Sequence, residues 1–265
     1  MQPLRVSLIQ GATRWHDLAG NRAYYGALIA PLAGHSDLVV LPETFTSGFS
    51  NEAIDQAETM DGATVAWMRG QAQALDAAVT GSVQLRDGAK VYNRLLFATP
   101  DGQVRHYDKR HLFRYAREHE RYAAGGSRIV VEWRGWRICP LICYDLRFPV
   151  FVRNRYDREA GRFDYDLLLF VANWPSARRY AWSTLLRARA IENLSYCAGL
   201  NRVGIDGNDL HYAGDSALLD FLGQPLLELG AQEQVVTVRL DAGLLAAHRK
   251  RFPAWMDADA FELGN

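Results

Sequence analysis

The chain has 265 residues, enough to bury a sizeable core, and its 49% hydrophobic and 23% charged composition is that of an ordinary globular protein. Thirty basic residues balance thirty acidic ones, so there is no electrostatic footprint for nucleic acid, and no apolar run approaches the roughly 20 residues of a membrane span. The chain enters a strand pattern directly, with no signal-peptide pattern, and its three cysteines are too few for a disulfide framework; a soluble cytoplasmic protein is expected.

Val6-Ser7-Leu8-Ile9-Gln10 has strand composition and stops at Gly11. From Asp17, a candidate N-cap, Leu18, Ala19, Ala23, Tyr24, Ala27, Leu28 and Leu32 recur at near-helical spacing toward Pro31 and Gly34. Leu38-Val39-Val40-Leu41 is a short apolar run with two β-branched members, which predicts a strand covered on both faces. Pro42 stops it, and Glu43 sits just beyond. Residues 43–50 read as a loop, 63–76 as a helix and 78–83 as a strand of small residues. Strands over 91–98 and 104–107 flank Pro100-Asp101-Gly102, a hairpin signal, and lead into Asp108-Lys109-Arg110-His111.

Residues 114–126 are polar, aromatic and rich in charge, and read as a loop. Segments 129–133 and 136–139 predict a second hairpin that runs on into Ile142-Cys143. A helix is expected over 148–154. Residues 166–174 carry the longest apolar strand signal. A helix over 177–193 presents Ala181, Leu185, Ala188 and Ile191 on one face, with Arg187 and Arg189 elsewhere. Strands over 195–203, 216–221 and 235–240 complete the set, with Gly223-Gln224-Pro225 turning between the last two. The tail from about 244 is mixed and contains Pro253 and Trp255. With no linker or repeat, one α/β domain over 1–265 is the simplest organisation, its helices covering both faces of a layered sheet core.

Cys143 ends an apolar strand and opens a polar turn, which puts its sulfur at the lip of a sheet. In open α/β architectures ligands bind at that lip. A thiol there is reachable and can be influenced by neighbouring charges, as a nucleophile requires, although a lone cysteine is more often a packed one. Glu43 and Lys109 stand at equivalent places, each just past a predicted strand. Charged loop residues are usually only solvated. Three such groups at carboxyl ends of strands in one sheet would converge on one site. The histidines are scattered, Cys139 and Cys143 alone do not make a metal site, and no Gly-x-Gly-x-x-Gly follows a strand, so neither metal nor cofactor is expected.

Leu41-Pro42-Glu43, residues 107–113 (Tyr-Asp-Lys-Arg-His-Leu-Phe) and residues 142–149 (Ile-Cys-Tyr-Asp-Leu-Arg-Phe-Pro) resemble, in order, the three signatures of the nitrilase superfamily of carbon–nitrogen hydrolases. Residues 43–50, 172–175, 187–193 and 201–208 resemble its omega-amidase branch, which deamidates 2-oxoglutaramate and related ω-amides of 2-oxo acids. The resemblance implies a four-layer α-β-β-α sandwich, a Glu43-Lys109-Cys143 triad and a homodimer whose contacts would involve residues 187–193 and the stretch after Leu244. It also implies a second glutamate, Glu118, with Glu120 as the competing candidate.

In this reading Glu43 is the general base, Lys109 supplies positive charge to the developing oxyanion, and the backbone N–H of Tyr144 is the second donor. Phe45, Tyr115 and Trp174 are expected to wall the pocket. Arg178 is the expected carboxylate clamp, with Arg179, Arg114 and Arg117 as alternatives, while Arg147 is assigned a structural ion pair. The runner-up activity is hydrolysis of an N-carbamoyl amine or amino acid, then of a nitrile. A Cys–His dyad using His111 fits less well, and a non-enzymatic interaction module of the same fold is the remote alternative.

Overall fold

In the Leu38–Val40 strand, Leu38 and Val40 join one buried cluster and Val39 joins another. Successive side chains of a strand face opposite ways, so a run apolar throughout needs cover on both sides. The computed structural model, which describes residues 2–262, supplies it. The strands are β1 Leu4–Gln10, β2 Leu38–Val40, β3 Ala78–Asp87, β4 Lys90–Ala98, β5 Val104–Asp108, β6 Val131–Trp133, β7 Trp136–Ile142, β8 Tyr156–Asp157, β9 Arg162–Phe163, β10 Leu167–Ala172, β11 Tyr196–Asn201, β12 Val203–Ile205, β13 His211–Ala213, β14 Ala217–Leu219, β15 Pro225–Glu228 and β16 Gln234–Leu240. The α-helices are α1 Leu18–Ile29, α2 Ala63–Leu75, α3 Pro149–Val152, α4 Arg179–Asn193 and α5 Ala242–Arg251.

Two six-stranded mixed sheets form the middle layers, ordered β16-β1-β2-β3-β4-β5 and β15-β14-β11-β10-β7-β6. In the first, β1, β2 and β3 are parallel, with Val6 opposite Leu38 and Leu38 opposite Ala78. In the second, β7, β10 and β11 are parallel, with Leu167 opposite both Ile138 and Tyr196. Leu4, Val6, Leu8, Leu38 and Val40 pack between the sheets with residues of β7 and β10. Ile9, Val39, Leu41 and Val79 face the other way, against Tyr25, Ile29, Val65, Met68 and Ala72 of α1 and α2. On the far side Trp182, Leu186 and Ala190 seat α4 on the second sheet. They come close because Gly199 of β11 has no side chain: a Cβ there would lie 2.5 Å from Leu186. The result is the expected four-layer sandwich, and no described helix is long and apolar enough to cross a membrane.

Local expectations held where capping or periodicity was strong. Asp17 caps α1 by accepting from the Gly20 N–H at 2.9 Å, and α2 stops at Asp76 in the left-handed region. Three details differ. The Gly223 turn closes a hairpin between β14 and β15 instead of leading to β16. The tail begins with α5, capped by Asp241. The buried face of α4 is Trp182, Leu186, Arg189, Ala190 and Asn193, one position on from the expected face, which leaves Ile191 53% exposed. Burial of Trp182, together with Arg189 donating to the Leu146 carbonyl at 2.6 and 3.0 Å, sets that rotation.

Candidate active site

The parallel strands and the two turns of the β3–β4–β5 meander bring the carboxyl ends of β2, β5, β7 and β10 to one rim. Glu43 lies three residues past β2; Lys109, Cys143 and Asn173 directly follow β5, β7 and β10. Glu43 and Lys109 follow strands of one sheet and Cys143 a strand of the other, not one sheet as expected; the Asn173 N–H donates to Glu43 Oε2 at 2.8 Å, so the two sheets are bonded to each other at the site.

Lys109 Nζ sits between two carboxyl groups, 2.8 Å from Glu43 Oε1 and 3.1 and 3.0 Å from the two oxygens of Glu118. All three side chains are buried. Asn93 Nδ2 braces both acids, at 2.8 Å from Glu43 Oε1 and 3.3 Å from Glu118 Oε1, and Asn93 is itself oriented by the Ser82 hydroxyl. The Phe113 N–H donates to Glu118 Oε2 at 2.6 Å. Burial alone would lower the Lys109 pKa, but the negative charges of Glu118 and Glu43 outweigh it and raise it, so the group is a fixed cation. Burial raises the Glu118 carboxyl above its ordinary range despite the neighbouring ammonium. The loop from Lys109 to Gly125 returns to its start: the Gly125 N–H donates to the Lys109 carbonyl at 3.0 Å, and a Cβ on Gly125 would collide with the Asp108 backbone at 2.1 Å.

Cys143 opens the turn at φ +43°, in the left-handed region that a non-glycine residue enters only when its surroundings impose it. Asp145 does much of the imposing. Fully buried, it accepts from the Ile142 N–H, the Tyr107 hydroxyl, the His111 N–H and His111 Nδ1, at 3.1, 2.8, 3.2 and 2.7 Å. Burial, and then the negative charge of Glu43, push the Cys143 thiol well above the ordinary range, only partly offset by Lys109. Its proton therefore stays on sulfur until a base removes it. On Glu43, Oε1 is filled by Lys109 and Asn93, whereas Oε2 accepts from the Asn173 N–H at 2.8 Å and, more distantly, from Asn173 Nδ2 at 3.4 Å. A shielded thiol, a carboxylate acceptor and a fixed ammonium in one cleft are the parts of nucleophilic acyl transfer.

Residues 5–250 match the family model described as carbon-nitrogen hydrolase. The chain is a carbon–nitrogen hydrolase. It is 46% identical to an omega-amidase of Escherichia coli strain K12, YafV, over 99% of this chain and 100% of that protein. It is 34% identical to a 2-oxoglutaramate amidase of Bacillus subtilis strain 168, over 84% and 85%. Among solved structures it resembles XC1258 of Xanthomonas campestris, a CN-hydrolase superfamily protein with an arsenic adduct in its active site, with a TM-score of 0.98, 70% identity and full coverage of both chains.

In this carbon–nitrogen hydrolase the cleft has a volume of about 360 Å³. Glu43, Lys109, Cys143, Tyr144 and Asn173 line its floor, and Phe49, Phe113, Tyr115, Trp174, Leu210 and Tyr212 its walls. Tyr115 stands at the mouth, 85% exposed, and Trp174 is buried. Phe45 lies elsewhere: Pro42 turns the chain so that Glu43 faces the cleft while the Phe45 ring packs edge-on against Tyr25 at 5.7 Å, in the layer beneath α1 and α2. Arg178 lines the cleft with its guanidinium 5.3 Å from the Phe113 ring and 5.7 Å from Tyr115. Arg147 also lines it, 4.8 Å over the Trp174 ring, and forms no ion pair among the described residues, contrary to the structural role expected of it. Arg179 is paired with Asp215 and Arg117 with Glu120, both outside the cleft; Arg114 does not line it. Glu120 is thereby placed at the surface and Glu118 beside Lys109.

Proposed function

We propose that this hydrolase is an omega-amidase, releasing ammonia from the ω-amide of a small 2-oxo dicarboxylic acid monoamide through a thioester on Cys143. The observation that carries the reading is the Glu43 carboxylate, bonded to Lys109 through Oε1 and close enough to the Cys143 thiol that its charge helps hold the proton on sulfur. Glu43 takes the thiol proton as sulfur attacks the amide carbon. The oxygen that becomes anionic is met by Lys109 and by the Tyr144 N–H, in the first turn of a helical segment whose leading N–H groups have no intrahelical partner. Collapse breaks the C–N bond while Glu43 passes the proton to nitrogen, and ammonia leaves. Water then gives a proton to Glu43 and attacks the thioester. When that intermediate collapses, the thiolate leaves and recovers its proton from Glu43, so amide and water become acid and ammonia. Glu118 holds Lys109 in place throughout.

Arg147 and Arg178, two guanidinium groups in a cleft whose walls are otherwise mainly apolar and aromatic, suit the carboxylate at the far end of such a substrate. The same reading places the enzyme in the cytoplasm, consistent with its free cysteines, and makes it a homodimer. Apolar residues exposed on and near α4 and α5, among them Tyr180, Ile191, Leu222, Leu244 and Phe252, support that contact.

The test is ammonia release from ω-amides of 2-oxo acids, run beside N-carbamoyl amino acids and short nitriles, with Cys143→Ala as control. Preference for the 2-oxo acid amides is expected. Preference for a carbamoyl substrate, or turnover by the control, would remove the proposal.

A further inference from the structure

The charges buried at the floor of the cleft do not balance. Glu43 and Glu118 share the single ammonium of Lys109, and all three side chains are buried. With both acids ionised the cluster carries one surplus negative charge out of reach of water. The other titratable groups that face Glu43, the Cys143 thiol and the Tyr212 phenol, are held neutral by burial and bring no positive charge. A buried carboxylate without compensation takes up a proton, and a protonated Glu43 is no base. Neutral donors must therefore meet the surplus. The Asn173 N–H serves Glu43 and the Phe113 N–H serves Glu118. Among the described residues one neutral side chain bonds both acids: Asn93, with Nδ2 at 2.8 Å from Glu43 Oε1 and 3.3 Å from Glu118 Oε1.

The carboxamide of Asn93 is aimed by the loop that carries the base. The Thr44 N–H donates to Ser82 Oγ at 2.9 Å, which leaves the Ser82 proton for Asn93 Oδ1 at 2.8 Å. Oδ1 is thereby fixed as the acceptor, and the two hydrogens of Nδ2 turn toward the acids. Ser82 grips the same loop through its backbone, donating to the Pro42 carbonyl at 3.3 Å and accepting from the Phe45 N–H at 3.1 Å. Thr44 is held at φ +43°, where a β-branched residue stays only when its surroundings impose it. A chain of bonds thus starts at the backbone next to Glu43 and ends on the Glu43 carboxylate. Thr44, Ser82 and Asn93 are all buried, and in a dry chain of this kind each bond polarises the next.

We propose that Asn93 is a positioning residue that keeps Glu43 ionised and in place for the thiol proton, with Ser82 fixing which end of its carboxamide faces the acids. The inference rests on the amidase reading and adds to it the device that holds the base in its working charge state.

Two measurements on the full-length enzyme test it. One is the pH dependence of kcat/KM on an ω-amide of a 2-oxo acid. The other is the pH dependence of Cys143 alkylation by iodoacetamide, followed by intact mass. In both, the acid limb marks where the Glu43–Cys143 pair gains a proton. Asn93→Leu keeps the bulk of the side chain and removes both donors. It should move the acid limb to higher pH by about one unit, the worth of a hydrogen bond to a charged group. Ser82→Ala, the gentler change should the leucine variant not fold, frees the carboxamide to turn and should move the limb the same way by less. Gln84→Leu alters a buried polar residue of the same strand pair that bonds Ser47 and Gly48 and neither acid, and should leave the limb in place. An unmoved limb in Asn93→Leu and Ser82→Ala, whatever the loss of kcat or stability, would show packing alone and overturn the inference. So would an equal shift in Gln84→Leu. Alkylation needs no turnover, so a wild type that opened no ω-amide would remove the amidase reading alone, and the alkylation limb would still decide the part played by Asn93.

Discussion

The Tyr107 hydroxyl donates to Asp145 Oδ2 at 2.8 Å, joining the strand that ends before Lys109 to the turn that starts at Cys143. The ammonium and the thiol come from different sheets, and this bond, with those from His111 to the same carboxylate, fixes one against the other. Tyr107→Phe removes one of four donors to a buried carboxylate. A loss of about 1–2 kcal/mol in stability is expected, with a fall in kcat larger than any change in KM. Denaturant unfolding together with steady-state kinetics checks both. Asp145→Ala strands several buried donors at once and should cost more than Tyr107→Phe.

The thiol supplies a pH signature. Burial and the Glu43 charge hold the Cys143 pKa well above the ordinary thiol range, so thiolate absorbance near 240 nm should be absent for this residue at neutral pH. Glu43→Gln removes the negative charge, and the Cys143 pKa should move down even as amidase activity disappears. An upward shift would contradict the arrangement. The sign for stability follows. The unfolded thiol titrates near ~8.5, whereas the folded one stays protonated, so as pH rises through that range the unfolded state loses a proton the folded state keeps. Stability from this group is present below the range and declines above it. Cys143→Ala should show a shallower decline, the remainder coming from Cys139 and Cys197, whose thiols burial also pushes up.

Lys109 separates two buried acids. Lys109→Met leaves Glu43 and Glu118 facing each other without a cation, and about 3–5 kcal/mol of destabilisation is expected. Adding Glu118→Gln to Lys109→Met should recover part of that stability and none of the activity, since the oxyanion still lacks its charge. Thermal unfolding of the single and double variants decides the matter.

Arg147 and Arg178 both line the cleft. Arg147→Ala and Arg178→Ala are expected to raise KM for a 2-oxo acid amide about 10-fold or more, the cost of a lost charge-assisted hydrogen bond. Hydrolysis of a short uncharged amide should hardly change. Equal losses on charged and uncharged substrates would mean that the arginines shape the cleft and do not read a carboxylate.

Phe45→Ala should cost about 3–5 kcal/mol through the cavity it leaves among Tyr25, Trp67 and their neighbours, with KM little altered. Were the ring a pocket wall, KM would respond first.

That last residue shows where reading from sequence stopped. Glu43, Lys109 and Cys143 were legible because each lies at or just beyond the end of an apolar strand, and chain direction alone carries such residues to the rim. Phe45 was not, because which way a loop side chain turns depends on the Phe45 N–H finding the Ser82 carbonyl, a long-range bond with no local signal. Asn93 lies inside β4, where nothing separates a polar residue aimed at the site from one aimed at solvent. Arg147 sits near the nucleophile turn, where a structural ion pair was expected, yet its one acidic neighbour in sequence, Asp145, is already engaged by other donors and the guanidinium is left over Trp174. Asn173 lay near the end of the longest strand signal in the chain, over 166–174, so its place at the rim was readable although its bond to Glu43 was not.

The closure of the Lys109–Gly125 segment on itself has an evolutionary consequence. Phe113, Tyr115 and Ala116 hang from that segment, while its two ends are pinned together by the Gly125 N–H. Lengthening a loop whose ends stay joined adds little entropy cost, so new side chains can be tried over the cleft without moving the ammonium at the loop's base. The stretch around Tyr115 is therefore where a descendant of this protein would most easily acquire a taste for a different amide.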